Sequence, residues 1–429
     1  MAPKDTAYYS VATDDYIPTP SMFERRCTHF LVKTLFRGLP VALDFGNGDL
    51  RDISAGTSAI HFAPPRFLAL LGILVHPGLR LGEAYMDGKW YLSRGLLSDF
   101  LLMLVTAKGS TRVQNGLNFG FFEWATHIYK QFLATFSATR KVVSHYDVNA
   151  KVFRRMIGDH YAYSCAFFDD PGMSLDQAQQ HKFDTIFRRM QLSTLPKPKI
   201  LDVGCGWGSF ERFLPSDQGA EIDAISISGN QIADAANWAA SRPGNPRSEV
   251  RFLKEDYRDF CMRHPNAYDR VVSIGMLEHV GRSKYEHFFR NIRNVLADDG
   301  VALVHSIVKH SPKTTNLWID RYIFPGGYAP LVSEVVLGIE RSGLKIRAIH
   351  YHDGENYIRT LRCWLTNLLE NEAEILAEFA AEQIKIPDTE RDKIARSTFR
   401  MFIYYLSAVQ LMFHRDYWQD GVAHFVVTR

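Results

Sequence analysis

Lys199-Ile-Leu-Asp-Val-Gly-Cys-Gly-Trp-Gly208 is the stretch on which the reading of this chain turns. Its first five residues read as a buried strand, and they run directly into three glycines at alternate positions, Gly204, Gly206 and Gly208. Lacking Cβ atoms, these glycines let the backbone approach a ligand closely, and a helix behind them offers free N–H groups. Such a loop suits an anion or a nucleoside at the carboxyl edge of a parallel sheet. The third-glycine spacing of the dinucleotide fingerprint is missing, which disfavours a nicotinamide enzyme.

Outward from this loop, strand and helix signals alternate. Residues 221–227, 250–253, 270–274 and 301–306 read as strands, and residues 231–240 and 284–296 as helices. Alternation of this kind predicts an α/β fold with a mostly parallel sheet covered on both faces. His350 and His352 fit alternation along a further strand better than a metal site, since no third ligand accompanies them, and residues 370–382 read as a solvated acidic helix. Upstream, residues 1–20 lack periodicity and read as a loose tail, and a helical pattern begins at Met22. Residues 108–116 read as a polar linker bounded by glycines, and residues 117–143 as a long aromatic helix. The expected division is a smaller, mainly helical N-terminal domain at 1–115 and a catalytic domain at 116–429.

A length of 429 residues exceeds one ordinary domain, and 46% hydrophobic with 23% charged residues is the balance of a globular protein. A net charge of only +3 argues against a nucleic-acid binder. Between Lys108 and Arg155, eight Lys or Arg face two acids, Glu123 and Asp147. A solvated helix face explains this stretch most simply, and it also suits an anionic membrane surface. Five cysteines without a CxxC pair are no disulfide framework and point to a reducing cytoplasm. The first residues lack the apolar core of a signal peptide, and the longest apolar runs fall well short of the ~18 residues that span a bilayer. Membrane association is therefore expected to be peripheral.

The glycine loop resembles the first motif of Rossmann-like S-adenosylmethionine methyltransferases. That resemblance implies a cofactor held by Asp202, Gly204, Gly206, Trp207 and Gly208. Ser226 and Gln231 would flank its ribose or amino acid portion, and Asp256 and Tyr257 its adenine. One departure is the missing acid at the end of the second strand, where Ile225-Ser-Ile-Ser228 stands. Five further runs, His145-Tyr-Asp-Val-Asn149, Tyr161-Ala-Tyr-Ser-Cys-Ala-Phe-Phe168, Gly275-Met-Leu-Glu-His-Val-Gly281, His305-Ser-Ile307 and Gly354-Glu-Asn-Tyr-Ile-Arg-Thr-Leu361, follow in order. With the loop they closely resemble cyclopropane-fatty-acid synthases and their mycolic-acid relatives. Leu81-Gly-Glu-Ala-Tyr-Met-Asp-Gly-Lys-Trp90 extends the resemblance into the first domain.

The resemblance implies a class I methyltransferase domain with a seven-stranded sheet, acting on the cis double bond of an unsaturated phospholipid. The π bond would attack the sulfonium methyl, and a base would take a proton from the new methyl so that a ring closes. That base would be a bicarbonate ion caged by Cys165, Glu278, His305, Tyr357 and the amide of Ile307. Glu278 would accept the anion's own O–H or orient His305. Tyr163, Phe167 and Phe168 would wall the cavity, since water would trap a carbocation and aromatic faces stabilise one. Tyr146, Tyr163 and Ser164 would contact the cofactor from helices over it. The N-terminal domain is assigned to lipid engagement and to a homodimer contact.

Two departures bear on the product. Ser209 replaces a glycine of many synthases, and Val308 stands where a glycine is common, expected to narrow the pocket near the base. A relative giving a methyl-branched or methylene chain would look similar, so that alternative stays open. A plant-alkaloid type N-methyltransferase lacks the motif at Gly82–Trp90, and a non-enzymatic lipid binder would have no reason to keep every cage side chain.

Overall fold

The computed structural model describes residues 21–36, 39–46, 49–52, 60–106, 150–241, 248–312, 315–383 and 386–429. The expected linker at 108–116, the boundary at 115, the helix at 117–143, His145 and Tyr146 lie outside them.

The N-terminal part starts at α1 (Met22–Leu35), where the Ser21 hydroxyl accepts the amide of Glu24 and caps the helix. It continues through β1 (Val41–Asp44), β2 (Leu50–Asp52), β3 (Ile60–Ala63), α2 (Phe67–Val75), α3 (Pro77–Met86), β4 (Tyr91–Arg94) and α4 (Leu97–Thr106). It is mainly helical, as expected, but also holds a four-stranded sheet in the order β2-β1-β3-β4. Strands of three or four residues are too short to show a two-residue alternation, which is why the sequence did not reveal them.

The second part begins with α5 (Ala150–Ile157) and α6 (Leu175–Arg189), the latter started by a capping box between Ser174 and Gln177. Then follow β5 (Lys199–Val203), α7 (Ser209–Arg212), β6 (Ala220–Ser226), α8 (Gly229–Ser241), β7 (Ser248–Lys254), α9 (Tyr257–Arg263) and β8 (Tyr268–Ile274). The chain continues through α10 (Tyr285–Val295), β9 (Leu296–Val308), α11 (Leu317–Tyr322), α12 (Val332–Ser342) and β10 (Lys345–His352). Three helices, α13 (Glu355–Glu370), α14 (Glu372–Ala381) and α15 (Asp388–Phe413), precede the last strand, β11 (Gly421–Thr428). The seven strands form one sheet in the order β10-β11-β9-β8-β5-β6-β7. Only β11 runs against its neighbours. From β5 the chain moves outward to β6 and β7, then returns to β8 on the other side. The crevice at that reversal is where α/β sheets hold ligands.

One apolar core runs from Phe62, Trp90 and Phe100 of the N-terminal part, through Trp318 of α11 and Phe402 of α15, to Trp207 of the glycine loop. The Gly82–Trp90 motif is the joint. A Cβ on Gly82 would lie 2.5 Å from the Trp318 indole and 2.8 Å from the Tyr404 ring, so only glycine lets α3 come this close. Glu83 accepts a hydrogen bond from the Tyr322 hydroxyl at 2.9 Å, and Trp90 Nε1 donates to the Leu81 carbonyl at 3.0 Å.

Candidate active site

At the end of β5 the chain turns through Gly204 and Gly206, with φ of +84° and +57°. The amides of Gly204 and Cys205 both donate to the Ile225 carbonyl of β6, which ties the loop to the sheet edge. A Cβ on Gly206 would meet nothing nearer than Gln231 Nε2 at 3.9 Å, so that face is open to a ligand. Arg212 steadies the loop from behind. It donates to the Trp207 carbonyl at 3.1 Å, and its guanidinium lies over the rings of Tyr161 and Trp238 at 4.7 and 4.4 Å.

The loop opens on a cavity of about 200 Å³. Tyr163, Ser164, Gly204, Gly206, Trp207, Ser226, Gln231, Asp256 and Tyr257, nine of the residues singled out from the sequence, all line it. Tyr161, Ser209, Ser228, Glu255, Met276, His279 and Lys284 line it too, without having been assigned from the sequence. At the end of β6 the Ser226 hydroxyl donates to Gln231 Oε1 at 3.2 Å, a polar pair where an acid was missing. Asp256 is already committed: it caps α9 and holds Arg258 through Nε at 2.9 Å and a second nitrogen at 2.5 Å. Arg258, the first cause, holds its carboxyl below the usual range.

Two expected cofactor contacts are corrected. Gly208 does not face the cavity; its missing Cβ makes room for the Phe252 ring at 2.9 Å. Asp202 is buried on β5 beside Glu211, and burial first, then Glu211, holds its carboxyl toward the protonated form. Residues 161–164 are also not helical. They run as an irregular segment with Tyr161 at φ 52°, hung from α6 by Gln179 Nε2, which donates to the carbonyls of Ala162 and Ser164.

The residues expected to cage an anion come from four separate segments of the chain. Cys165 is fully buried, and its thiol, pushed up by burial, donates to the Ala166 carbonyl at 3.4 Å. The Ala166 amide donates to Thr360 Oγ1 at 3.0 Å, which joins this segment to α13, one turn from Tyr357. Tyr357 stacks on Phe413 with centroids 4.3 Å apart. His305 of β9 stacks under Phe167 at 6.2 Å. Glu278 sits in the turn after β8, where its Oε1 accepts the Ile307 amide at 2.7 Å.

That last bond corrects one expectation. The Ile307 amide is committed to Glu278 and does not point at a free anion. Glu278 Oε2 is left buried with no hydrogen-bond partner, and the nearby Ser306 hydroxyl is committed to the Ile307 carbonyl at 3.0 Å. Nor does Glu278 orient His305, whose Nδ1 lies 2.8 Å from His424 Nε2. Burial raises Glu278 to about 7. Lys182 of α6, also fully buried, donates to the Ser164 hydroxyl at 2.8 Å and is lowered by burial to about 7. No ion pair among the described residues gives it an acid partner.

Of the expected wall, Tyr163 and Phe167 face this interior. Tyr163 packs on Trp364 at 5.1 Å and shares a 2.9 Å hydrogen bond with the Tyr405 hydroxyl. Phe168 instead turns outward under Arg359 at 4.1 Å. Val308 is buried with Val335 and Ala423 on the face of β9 opposite His305, so it does not narrow the site. Sequence reading missed Lys182, Arg189 and His424. Their partners lie far away in the chain, and no local motif marks them.

Fold and cleft together define a class I S-adenosylmethionine-dependent methyltransferase. Residues 134–420 match the model of the mycolic acid cyclopropane synthetase family, and the chain belongs to that family. It is 30% identical over 340 residues to the cyclopropane-fatty-acyl-phospholipid synthase of Escherichia coli K12, covering 78% of this chain and 80% of that protein. That share is larger than residue 134 to the C-terminus can hold, so the similarity reaches into the N-terminal part. The cyclopropane synthase MmaA2 of Mycobacterium tuberculosis superposes with a TM-score of 0.58 at 27% identity, covering 68% of this chain and 98% of that one. The mycolic acid cyclopropane synthase CmaA1 complexed with SAH and CTAB gives 0.57 at 26% identity, with the same coverage.

Proposed function

We propose that this enzyme transfers the methyl of S-adenosylmethionine to the cis double bond of an unsaturated phospholipid acyl chain. Loss of a proton from that methyl to a bound bicarbonate would then close a cyclopropane ring. The observation that carries the reading is the fully buried Glu278 Oε2, which has no hydrogen-bond partner, together with a second buried group in which Lys182 interacts with Cys165 and His305. A buried carboxyl oxygen without a partner is costly unless a ligand's O–H completes it, and a buried ammonium without an acid favours an anion. When bound, S-adenosylmethionine supplies an electrophilic methyl and bicarbonate a weak base.

The protein's own groups would do the rest. Gly204 and Gly206 admit the cofactor's methionine portion, and Ser226, Gln231 and Tyr257 frame its nucleoside. Glu278 accepts the anion's O–H, while His305 and Tyr357 donate to its oxygens. Protons beside a carbocation are very acidic, so a weak base suffices when held in place. Tyr163, Phe167 and Trp207 exclude water, and an aromatic face stabilises a desolvated cation by ~2 kcal/mol or more.

For lipid engagement the N-terminal part offers exposed apolar side chains on two helices: Met22, Phe23 and Phe30 on α1, and Leu68, Leu71 and Val75 on α2. No helix among the described residues is long and apolar enough to cross a membrane. An apolar cavity of about 320 Å³ among the described residues lies between this part and α15, lined by Leu70, Phe100, Trp318 and Tyr404. Purified protein incubated with vesicles of monounsaturated phospholipid and labelled S-adenosylmethionine tests the assignment. Gas chromatography with mass spectrometry should find label in a cyclopropane ring. A branched or methylene chain would replace the ring claim, and unlabelled lipid would overturn the substrate.

A further inference from the structure

The hydrogen bonds behind His305 run in one direction. A guanidinium has donors and no acceptor. Arg189, the last residue of α6, therefore donates from one nitrogen to His424 Nδ1 at 2.6 Å and to His352 Nε2 at 3.0 Å. A neutral imidazole that accepts at Nδ1 carries its proton on Nε2. His424 thus donates from Nε2 to His305 Nδ1 at 2.8 Å. By the same rule, His305 is bare at Nδ1 and carries its proton on Nε2, the ring nitrogen not engaged by His424.

Three observations make this a built arrangement. His305 and His424 are directly opposed in the β9–β11 pairing, and His352 belongs to the next strand, so these three imidazoles share one face with His350, which is paired with His424. The Phe167 ring covers all three, at centroid distances of 6.2, 5.3 and 4.0 Å from His305, His424 and His352. Arg189 has no ion pair with an acid among the described residues, so its hydrogen bonds go to imidazoles. The groups facing the His305–His424 pair are Arg189 and Lys182 from α6 and His350 and His352 from β10, with His350 directly opposite His424, and all are cationic or neutral. Burial first, then Lys182, Arg189 and His352, holds both rings neutral. Arg189, lowered by burial to about 10, keeps its proton at neutral pH.

We propose that Arg189 and His424 are positioning residues that fix His305 as the Nε2–H tautomer, so that it meets the anion as a donor and never as a competing base. This rests on the proposed place of His305 at the anion site. The opposite tautomer would turn a lone pair toward the anion, weakening its hold and placing a second proton acceptor beside the carbocation.

Ring-nitrogen NMR on histidine-labelled wild-type enzyme tests the tautomer, with the His305 signals identified by their loss in His305→Ala. Nε2 should resonate as protonated and Nδ1 as bare; the reverse overturns the proposal. Turnover tests the role. Arg189→Met and His424→Leu should lower kcat at least about tenfold with cofactor Kd within about twofold. Arg189→Met should add an acid limb to the pH profile, because the pair can then take up a proton. His424→Gln, which still donates from its amide nitrogen, and Arg189→Lys should recover most of kcat. Unchanged kcat in Arg189→Met and His424→Leu, while His305→Ala is inactive, overturns the relay alone. A fully active His305→Ala overturns the anion-site reading and the role with it, while the NMR result still reports the tautomer.

Discussion

Glu278 and Ile307 form a half-finished arrangement: one carboxyl oxygen takes the amide at 2.7 Å and the other faces the buried interior with no partner. A buried carboxyl oxygen without a partner is uncommon in folded proteins and is a natural place for a water, an ion or a ligand's donor. The same burial raises the group from 4.5 to about 7.

Glu278→Gln should therefore abolish most turnover and flatten the pH dependence of stability. In the wild type the folded state binds this proton more tightly than the unfolded chain. The associated stability is complete below 4.5 and is lost as pH rises through about 7. The amide keeps an acceptor for Ile307 and removes the titration, so the variant should lose the wild type's fall in stability between pH 4.5 and about 7. Thermal melts at pH 5 and pH 8 check this. The Tm of the variant relative to that of the wild type should be higher at pH 8 than at pH 5.

Gly206→Val should block the cofactor. The backbone there is left-handed, φ +57°, which a β-branched residue resists, and the side chain would enter the open face of the loop. Calorimetry should show S-adenosylmethionine affinity lost in Gly206→Val and kept in His305→Ala.

Cys165 is expected to act as a protonated donor, not a nucleophile, because burial pushes its thiol up. Iodoacetamide should leave it unmodified in the folded enzyme and label it only after denaturation. Cys165→Ser, which keeps a donor of similar size, should slow turnover without changing cofactor affinity.

Much of this was legible in the sequence. The buried run at Lys199–Val203 and the glycines after it located β5 and the cleft, and strand–helix alternation gave the parallel sheet. Spacing alone could not separate Gly206, open to a ligand, from Gly208, a packing glycine against Phe252. It could not tell that Asp202 faces Glu211, or that Glu278 takes the Ile307 amide. Such contacts depend on which way a side chain leaves its strand and on residues brought from elsewhere. His424 stands 119 residues beyond His305 and meets it only because β11 inserts beside β9.

The Gly82 joint makes a prediction about the fold as a whole. Gly82→Leu would drive a side chain into Trp318 and Tyr404, and overpacking of this kind costs about 1–3 kcal/mol or more. Because the apolar core continues from α3 to Trp207, calorimetry should show one transition at a lower Tm. A separate early transition would indicate that the N-terminal part melts alone.

In the proposed reaction a caged base takes a proton from the transferred methyl itself. S-adenosylmethionine carrying a fully deuterated methyl, given to the enzyme with monounsaturated phospholipid vesicles, tests this most directly. The acyl product should be a ring bearing two deuterium atoms, the third having left to the base. A product that keeps all three would show that the proton came from elsewhere on the chain and would contradict the account.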